Sequence, residues 1–537
     1  MLMDLLVLLA ENAGQVVSKE QILDRVWQGR LVSESALSRN AAELRQALGD
    51  SERSPRYLET ITKRGYRLIA PVAPGPPAPP RLAVLPFDNL NRDPEEDYFA
   101  DGMAEAVITE LGRIAGLRVI SRQSVLRFKG TGKSVAEIAS ELKVDTVVEG
   151  SALLAGTRVR IAAQLIQVEP EQHLWAQSYE SDLGDILAVQ GQVARAIAEA
   201  VHAALTPQDL ARLSRAPRVN SEAHLAYLKA RHHGDGWTRE GIEKGFAYLQ
   251  QAIAADPTYA PAYASLAKYL AVLGFWGHLP IREAYAKARE AVLRALELDQ
   301  SLGEAHAVLA FVKWHLDWDL AGCEAGLRRA IELSPSSEFA QMAYANFLNI
   351  ARRDLDSGLV HARLALEIDP LSLNTNFGFG WWLLYAWEYE RAIEHARKTL
   401  ELYPNDLHTY SILGWAFVAR SMHGEAVAAF EKAVTISRDA LSLASLGHAY
   451  GRSGQRHAAE AVLAELLDRR AREHVPEFAL ATVHAGLGDL ERAFQSLEKC
   501  HAERDGRLFW LPVDPRFDPL RFDPRYHDLL RRLGLRP

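Results

Sequence analysis

Cysteine is scarce in this chain of 537 residues, which has only Cys323 and Cys500. Two cysteines cannot build a disulfide framework or a cysteine-based zinc site, and such usage is typical of a reducing compartment. We therefore expect a cytoplasmic protein.

A long apolar run is also missing. Nowhere do about 18 apolar residues follow one another, so we predict no membrane-spanning helix. The apolar stretch at residues 1–10 is interrupted by Asp4 and followed by Glu11 and Asn12. We expect it to form a packed amphipathic helix rather than the core of a signal peptide.

Positive charge is not in excess, since 61 Lys and Arg stand against 69 Asp and Glu, a net charge of -8. Any nucleic-acid surface must therefore be local. Apolar residues make up 48% and charged residues 24% of the chain, as in folded proteins. The length predicts about three domains.

Common enzyme signatures are missing as well: the sequence has no His-Glu-x-x-His, Cys-x-x-Cys or Gly-x-Ser-x-Gly. Gly130–Ser134 looks like part of a phosphate-binding loop, but Arg127 stands where its first glycine is required. We interpret it as a surface turn before a helix capped by Ser134. His232 and His233 lack a third spaced ligand. We predict no enzymatic activity, cofactor or metal.

Proline marks the clearest domain boundary, with six prolines between residues 71 and 80 that favour a stiff extended spacer. We predict a winged helix domain at 1–72, a linker at 73–80, an α/β domain at 81–206 and an all-α repeat domain at 221–537.

The first 70 residues predict a helix, a second helix and a basic hairpin. Ser18 and Gln21 form a capping box that opens the first helix. Ser33 is the expected N-cap of the second helix, which ends near Gly49. The hairpin at 57–69 carries Lys-Arg-Gly-Tyr at its tip, where Gly65 tolerates positive φ. This order is typical of a winged helix (α+β).

The exposed face of the second helix and the hairpin supply the candidate DNA contacts. Arg and Asn side chains read guanine and adenine edges, whereas basic side chains near the backbone bind phosphates. We predict base contacts by Ser35, Ser38, Arg39 and Asn40, and backbone contacts by Arg45, Thr62, Lys63, Arg64, Tyr66 and Arg67. A merely solvated helix face stays possible, because residues 1–70 hold 10 basic and 9 acidic groups.

Residues 4–70 resemble the effector domain of OmpR/PhoB-type transcriptional regulators, in 4–27, 44–50 and 57–68. The resemblance implies a bacterial regulator with its recognition helix at about 33–48 and its wing at 63–66. It begins partway through the family's first helix, so we expect either a misassigned start or a truncated domain. No receiver domain is recognisable, and the proline spacer stands where membrane-anchored relatives have a spanning helix.

Residues 81–206 alternate strand and helix patterns. Strands are expected at 81–87 and 117–120, helices at 101–114, 134–142 and 182–205, and a hairpin of 146–154 and 158–168 around Ala155-Gly156-Thr157. Four stretches within 81–200, namely 82–90, 98–102, 148–151 and 173–176, resemble the N-terminal domain of TolB. This resemblance implies a fold but no catalytic set.

From residue 221 the chain predicts stacked helix pairs. A turn recurs with its second residue at positions 257, 300, 335, 370, 404 and 437, and all intervals but the first lie close to the ~34-residue tetratricopeptide (TPR) period. Gly414 and Ala426 are expected to let neighbouring helices approach closely. Such pairs must stack, so we predict a superhelix of about seven repeats.

Two features of the repeats leave alternatives open. Trp381, Trp382, Tyr385 and Trp387 are typical of core packing, but an aromatic groove for a ligand or peptide is the alternative. The segment from Asp514 to the basic helix at 529–535 is interpreted as a polar cap that closes the array.

These patterns favour a transcriptional regulator that binds double-stranded DNA, as a homodimer on paired half-sites, with repeats that dock a protein or peptide. One alternative is a protein-interaction scaffold whose shortened winged helix does not bind DNA. Another, by analogy alone, is the regulatory subunit of a cyclase-like signalling enzyme.

Overall fold

The computed structural model describes residues 2–27, 34–52, 54–72, 79–91, 93–215, 218–234, 239–275 and 279–535. The chain divides into two compact units, Met1–Ala78 and Pro79–Pro537.

The first unit is a three-helix winged helix with a small antiparallel sheet. Its elements are α1 (Leu2–Glu11), β1 (Val16–Ser18), α2 (Lys19–Trp27), α3 (Glu34–Leu48), β2 (Leu58–Ile61) and β3 (Gly65–Leu68). The strand order is β1-β3-β2. Leu5, Leu9, Ile22, Ala41 and Leu58 form the centre of its core.

The predicted start of α2 is confirmed. Gln21 N donates to Ser18 Oγ at 3.1 Å, and Ser18 N donates to Gln21 Oε1 at 2.9 Å, which satisfies two amides that a helix start leaves unpaired. Ser33, the expected N-cap of α3, lies outside the described residues.

The second unit begins with an α/β sheet of order β6-β4-β7-β8-β9, in which the short β5 also pairs with β7. Its elements are β4 (Arg81–Val84), β5 (Asp88–Asn89), α4 (Asp97–Gly112), β6 (Arg118–Val119), α5 (Arg122–Leu126), α6 (Val135–Leu142), β7 (Thr146–Ala155), β8 (Arg158–Gln167), β9 (Gln172–Asp182), α7 (Ile186–Ala200) and α8 (Pro207–Leu213).

The predicted hairpin is confirmed, because β7 and β8 pair antiparallel up to Ala155 and Arg158. The predicted helix at 182–205 was too long, since α7 begins at Ile186, ends at Ala200 and is followed by the separate α8. Strand β9 was not predicted. It is an edge strand with polar residues on both faces, so it lacks the alternation that identifies a half-buried strand.

The rest of the second unit is a stack of helix pairs, eight of them among the described residues. Their helices are α9 (Ser221–Gly234), α10 (Arg239–Ala255), α11 (Ala260–Phe275), α12 (Ile281–Leu298), α13 (Gly303–Val312), α14 (Leu320–Leu333), α15 (Glu338–Phe347), α16 (Leu355–Ile368), α17 (Leu373–Tyr385), α18 (Tyr389–Leu402), α19 (Leu407–Ala419), α20 (His423–Ile436), α21 (Ala440–Arg452), α22 (Arg456–Arg469), α23 (Glu477–Leu487) and α24 (Leu490–Ala502).

Small residues bring the helices of a pair together, as the repeat pattern predicts. A Cβ on Gly414 of α19 would lie 2.5 Å from the ring of Phe430 on α20, so only glycine fits there. Ala426 is fully buried in the same pair. This packing is typical of a TPR superhelix.

The α/β domain is docked directly on the repeats. Ser121 N donates to Ile368 O at 2.8 Å, and Ser336 N donates to Gly112 O at 3.1 Å. Ser124 donates to the buried carboxylate of Asp369 through both its amide, at 3.1 Å, and its hydroxyl, at 2.7 Å. These contacts join the two domains into one compact unit.

Candidate nucleic-acid interface

Helix α3 separates a buried stripe from a polar face. Leu37, Ala41 and Leu44 are buried in the core of the first unit. Between them, Ser38 and Arg39 are exposed and Asn40 is half-buried. Ser35 lies in the first turn of α3, and its side chain is outside the described residues.

The wing is the hairpin formed by β2 and β3. Thr62, Lys63 and Arg64 form its tip and are exposed. Lys63 holds the left-handed conformation of the turn, with φ of +60°. Glycine is required at position 65 for lack of space, because a Cβ there would lie 1.9 Å from the carbonyl oxygen of Val17 on β1. Glycine therefore lets β1 approach the base of the wing.

Arg67 lies on β3, next to the tip. Its Nε and Nη2 donate to Glu59 Oε2 at 2.9 and 2.6 Å. The side chain is 37% exposed, so the guanidinium is accessible from solvent although it is already paired. A phosphate contact by Arg67 therefore has to compete with Glu59.

Two expected contact residues are buried, which corrects the sequence interpretation. Arg45 is 7% exposed; its Nη2 donates to Thr60 Oγ1 at 2.6 Å and to Leu58 O at 3.2 Å. Tyr66 is 5% exposed and belongs to the core of the unit. Neither presents its side chain to a duplex, and Arg45 instead ties α3 to β2.

Asp50 also positions the wing, and the sequence analysis did not single it out. Its carboxylate accepts hydrogen bonds from the amides of Ser51, Arg56, Tyr57 and Leu58 at 2.7–3.0 Å. Burial alone would raise the pKa of Asp50, but these four amides outweigh it and hold the pKa well below its ordinary value. The carboxylate thus organises the loop between α3 and β2.

The described part of the interface therefore consists of two surfaces on one rigid unit. The face of α3 offers hydroxyl, guanidinium and amide groups of the kind that read base edges. The wing tip offers a hydroxyl, an ammonium and a guanidinium group that suit phosphate oxygens. Arg45 and Asp50 fix the wing to the C-terminal half of α3.

The glycine-rich turn at Gly130–Ser134 has a structural role. Ser134 caps α6 in a capping box with Glu137, as predicted. Beside the turn, Lys129 Nζ lies 2.8 Å from Asp101 Oδ1, and His232 Nδ1 lies 3.3 Å from Asp101 Oδ2. His232 therefore lies beside the Lys129–Asp101 ion pair, whereas His233 stacks on Tyr248 at 5.6 Å between ring centroids.

The C-terminal segment is not the polar cap that the sequence predicted, because it lies along the repeats and buries apolar side chains among them. Residues 505–535 run along the surface formed by the first helix of each pair, here called the A-helix face. Short 3-10 turns at Gly506–Trp510 and Pro515–Leu520 precede α25 (Pro524–Arg532). Seven apolar residues of the segment 505–535 are buried in the core of the array: Leu508, Phe509, Leu511, Val513, Phe517, Leu520 and Leu529.

Arg516 and Trp510 anchor this C-terminal segment. Arg516 pairs with Asp514 at 2.6 Å and lies over the rings of Trp415 and Phe478, 5.1 and 5.0 Å from their centroids. Trp510 stacks on His315 with 5.4 Å between ring centroids. The segment therefore occupies the A-helix face between α13 and α23.

The aromatic cluster at the end of α17 and just after it lies partly in the core and partly against the C-terminal segment. Trp382 is buried and donates to Ala345 O at 3.2 Å. Trp381 packs against Tyr385, whose hydroxyl accepts a hydrogen bond from Arg516 at 3.3 Å. Trp387 is half exposed and donates to Val513 O at 3.3 Å. Tyr385 and Trp387 thus hold a peptide segment of the same chain.

Within the described ranges, no helix combines the length and apolar character that crossing a membrane requires. The same residues contain no group of three His, Cys, Asp or Glu side chains placed to hold a metal ion.

Two family models match the chain. Residues 2–68 match the model described as "Transcriptional regulatory protein, C terminal", and residues 79–196 match "HilA/YgeH-like transcriptional regulator, second domain". The first match covers the winged helix and its candidate interface. The second covers most of the α/β domain.

Curated relatives align over parts of their length. "Putative adenylate cyclase 3" of Rhizobium meliloti is 36% identical over 47% of this chain and 42% of its own. "Transcriptional regulator HilA" of Salmonella typhimurium is 25% identical over 68% of this chain and 65% of its own. "Transcriptional activator CadC" of Escherichia coli is 42% identical over 13% of this chain and 14% of its own.

This chain thus spans less than two thirds of these relatives. It carries an OmpR/PhoB-type domain at its N-terminus, followed by a HilA-like regulator domain.

Proposed function

We propose that this protein is a DNA-binding transcriptional regulator that uses α3 to read promoter DNA and the wing to grip the backbone. The observation that carries the proposal is the exposure of Ser38 and Arg39 on α3 and of Thr62, Lys63 and Arg64 at the wing tip. The family match over residues 2–68 and the names of the relatives HilA and CadC support it.

The proposal assigns a role to each part of the chain. Ser35, Ser38, Arg39 and Asn40 contact bases, and Thr62, Lys63, Arg64 and Arg67 contact phosphates. The protein acts in the cytoplasm without enzymatic activity and binds paired half-sites as a homodimer. The domain limits are 1–72, 81–206 and 221–537, joined by the linker at 73–80.

The TPR array is proposed to dock a protein or peptide partner. The C-terminal segment covers the A-helix face from α13 to α23, so a partner either binds another surface or displaces this segment. Displacement would couple partner binding to the α/β domain, because that domain is docked on the same array.

Selection from a pool of random duplexes tests the DNA-binding proposal. The full chain should enrich a sequence motif, and Arg39→Ala or Asn40→Ala should change the preferred bases at one or two positions, since each bidentate base contact contributes about 1–3 kcal/mol of discrimination. Arg25→Ala is the matched control, because Arg25 lies on α2, is exposed and pairs with Glu11 of α1 at 3.9 Å. Failure to retain any duplex at low salt would favour a scaffold.

The second candidate is a regulatory subunit of a cyclase-like signalling enzyme. The 36% identity with "Putative adenylate cyclase 3" favours it. Under this alternative the chain should bind a cyclase catalytic domain and change its rate, and DNA retention should be absent.

A further inference from the structure

A cavity of about 260 Å³ lies within the second unit, between α5 of the α/β domain and the A-helix face. It is lined by the first helices of successive pairs, α11, α13, α15 and α17. The volume is close to the lower end of the range for small-molecule sites, about 300 Å³. It is therefore large enough for a small organic molecule and too small for a folded partner.

One part of the cavity wall is apolar. Phe275, Phe311, Met342 and Phe377 contribute side chains to it. Phe275 also packs edge-on against Trp510 of the C-terminal segment, with 5.3 Å between ring centroids. A ligand with a ring or a short alkyl chain would bury its apolar surface here and would lie next to this segment.

Three cations, Arg122, Arg231 and Lys268, form the polar part of the wall, and each is paired with Glu105 or Glu304. Glu105 lies 3.3 Å from Arg122 and 2.5 Å from Arg231. Glu304 lies 3.6 Å from Arg231 and 2.7 Å from Lys268. All three cations line the cavity. The cavity wall therefore carries three positively charged groups.

Glu338 also lines the cavity, at the start of α15, and its ionised form would repel an anionic ligand. Burial raises the pKa of Glu338 above its ordinary value, although Lys268 and Arg231 oppose the shift. The protonated, neutral form of Glu338 is thus more populated than it would be on the surface of the protein. Asp369, the other carboxyl in the wall, already accepts hydrogen bonds from Ser124 and from Thr375 at 3.1 Å.

We propose that this cavity binds a small amphipathic carboxylic acid, whose apolar body packs against Phe275, Phe311 and Met342 and whose carboxylate lies beside Lys268 and Arg231. The ligand then bridges the α/β domain and the repeats, because Arg122 lies on α5 and Lys268 on α11. A charge-assisted hydrogen bond in such a partly enclosed site is stronger than a neutral one.

Calorimetric titration of the full chain with 4-phenylbutyrate tests the proposal, and 4-phenylbutylamine and 4-phenylbutyramide serve as cationic and neutral controls. The acid should bind most tightly. Lys268→Met should weaken its binding about tenfold, because it removes a charged hydrogen-bond donor. Lys398→Met is the matched control, because Lys398 forms an exposed ion pair with Glu394 at 2.7 Å; it should leave the affinity unchanged.

Glu338→Gln provides a test that misfolding cannot imitate, because it should strengthen binding of the acid by several fold. Tighter binding of the amine than of the acid, weaker binding of the acid to E338Q, or no binding of any probe at about millimolar concentration would overturn the proposal. The readout involves no DNA, so its failure is distinguishable from failure of the regulator function.

Discussion

Single residues decide which cations of the winged helix are available to a ligand. The sequence pattern correctly predicted a basic hairpin, but it could not separate exposed from buried cations. Arg45 and Lys63 look alike in sequence, yet Arg45 is 7% exposed because its stem crosses from α3 to β2, whereas Lys63 stands at an open turn. Tertiary packing, which no local periodicity encodes, makes this difference.

Substitution of Arg45 should therefore act on stability and substitution of Lys63 on binding. Arg45→Met removes charged hydrogen bonds to Leu58 O and Thr60 Oγ1, so we expect the first unit to lose about 1.5–3 kcal/mol of unfolding free energy. Lys63→Met should leave that free energy unchanged and weaken DNA binding. Hydrogen exchange of peptides from residues 1–72 in the full chain measures the first effect. Equal protection in both variants would contradict the assignment of Arg45.

At the scale of elements, the C-terminal segment shows that a sequence pattern does not reveal which surface a segment packs against. The sequence predicted a polar cap from Asp514 onward, whereas the structure has short 3-10 turns there whose apolar residues are buried in the array. The surface that receives this segment could not be predicted, because it is assembled from parts of the chain up to about 200 residues away, such as the turn after α13 that carries His315. The repeat period, by contrast, is local and correctly predicted the helix pairs.

The ion pair of Arg516 and Asp514 should be essential for seating this segment. Asp514 is 1% exposed, so Arg516→Met leaves a buried carboxylate without its partner and should cost about 3–5 kcal/mol. Limited proteolysis should then cleave residues 505–535 faster than in the natural chain. Arg525→Met is the control, because Arg525 pairs with Asp523 and Glu491 at the surface; cleavage at the natural rate in R516M would refute the seating role.

At the scale of the whole molecule, the second unit contains neutral histidines spread along its repeats. Burial lowers the pKa of His224 to about 4 and those of His315 and His448 to about 3. Their pKa values in the unfolded chain are near 6.5. The stability they contribute is thus complete above pH 6.5 and is lost as the pH falls towards 3.

Acid should therefore destabilise the second unit, and His448→Gln should reduce the pH dependence. Each buried histidine adds a slope of up to about 1.4 kcal/mol per pH unit between these limits. Burial raises the pKa of Asp369 to about 7, which acts in the opposite direction. Comparing H448Q with the natural chain in denaturant titrations from pH 7 to pH 4 isolates the histidine. Parallel curves would show that His448 does not take up a proton on unfolding.

The salt dependence of DNA binding tests the central claim, that the wing grips phosphates, most directly. The full chain, Arg64→Ala and the control Arg25→Ala should be titrated with the same duplex from low to physiological salt. The account predicts that R64A weakens binding to all sequences alike and lowers the slope of log affinity against log salt by about 1, whereas R25A matches the natural chain. An unchanged slope in R64A, or an equal loss in R25A, would contradict it.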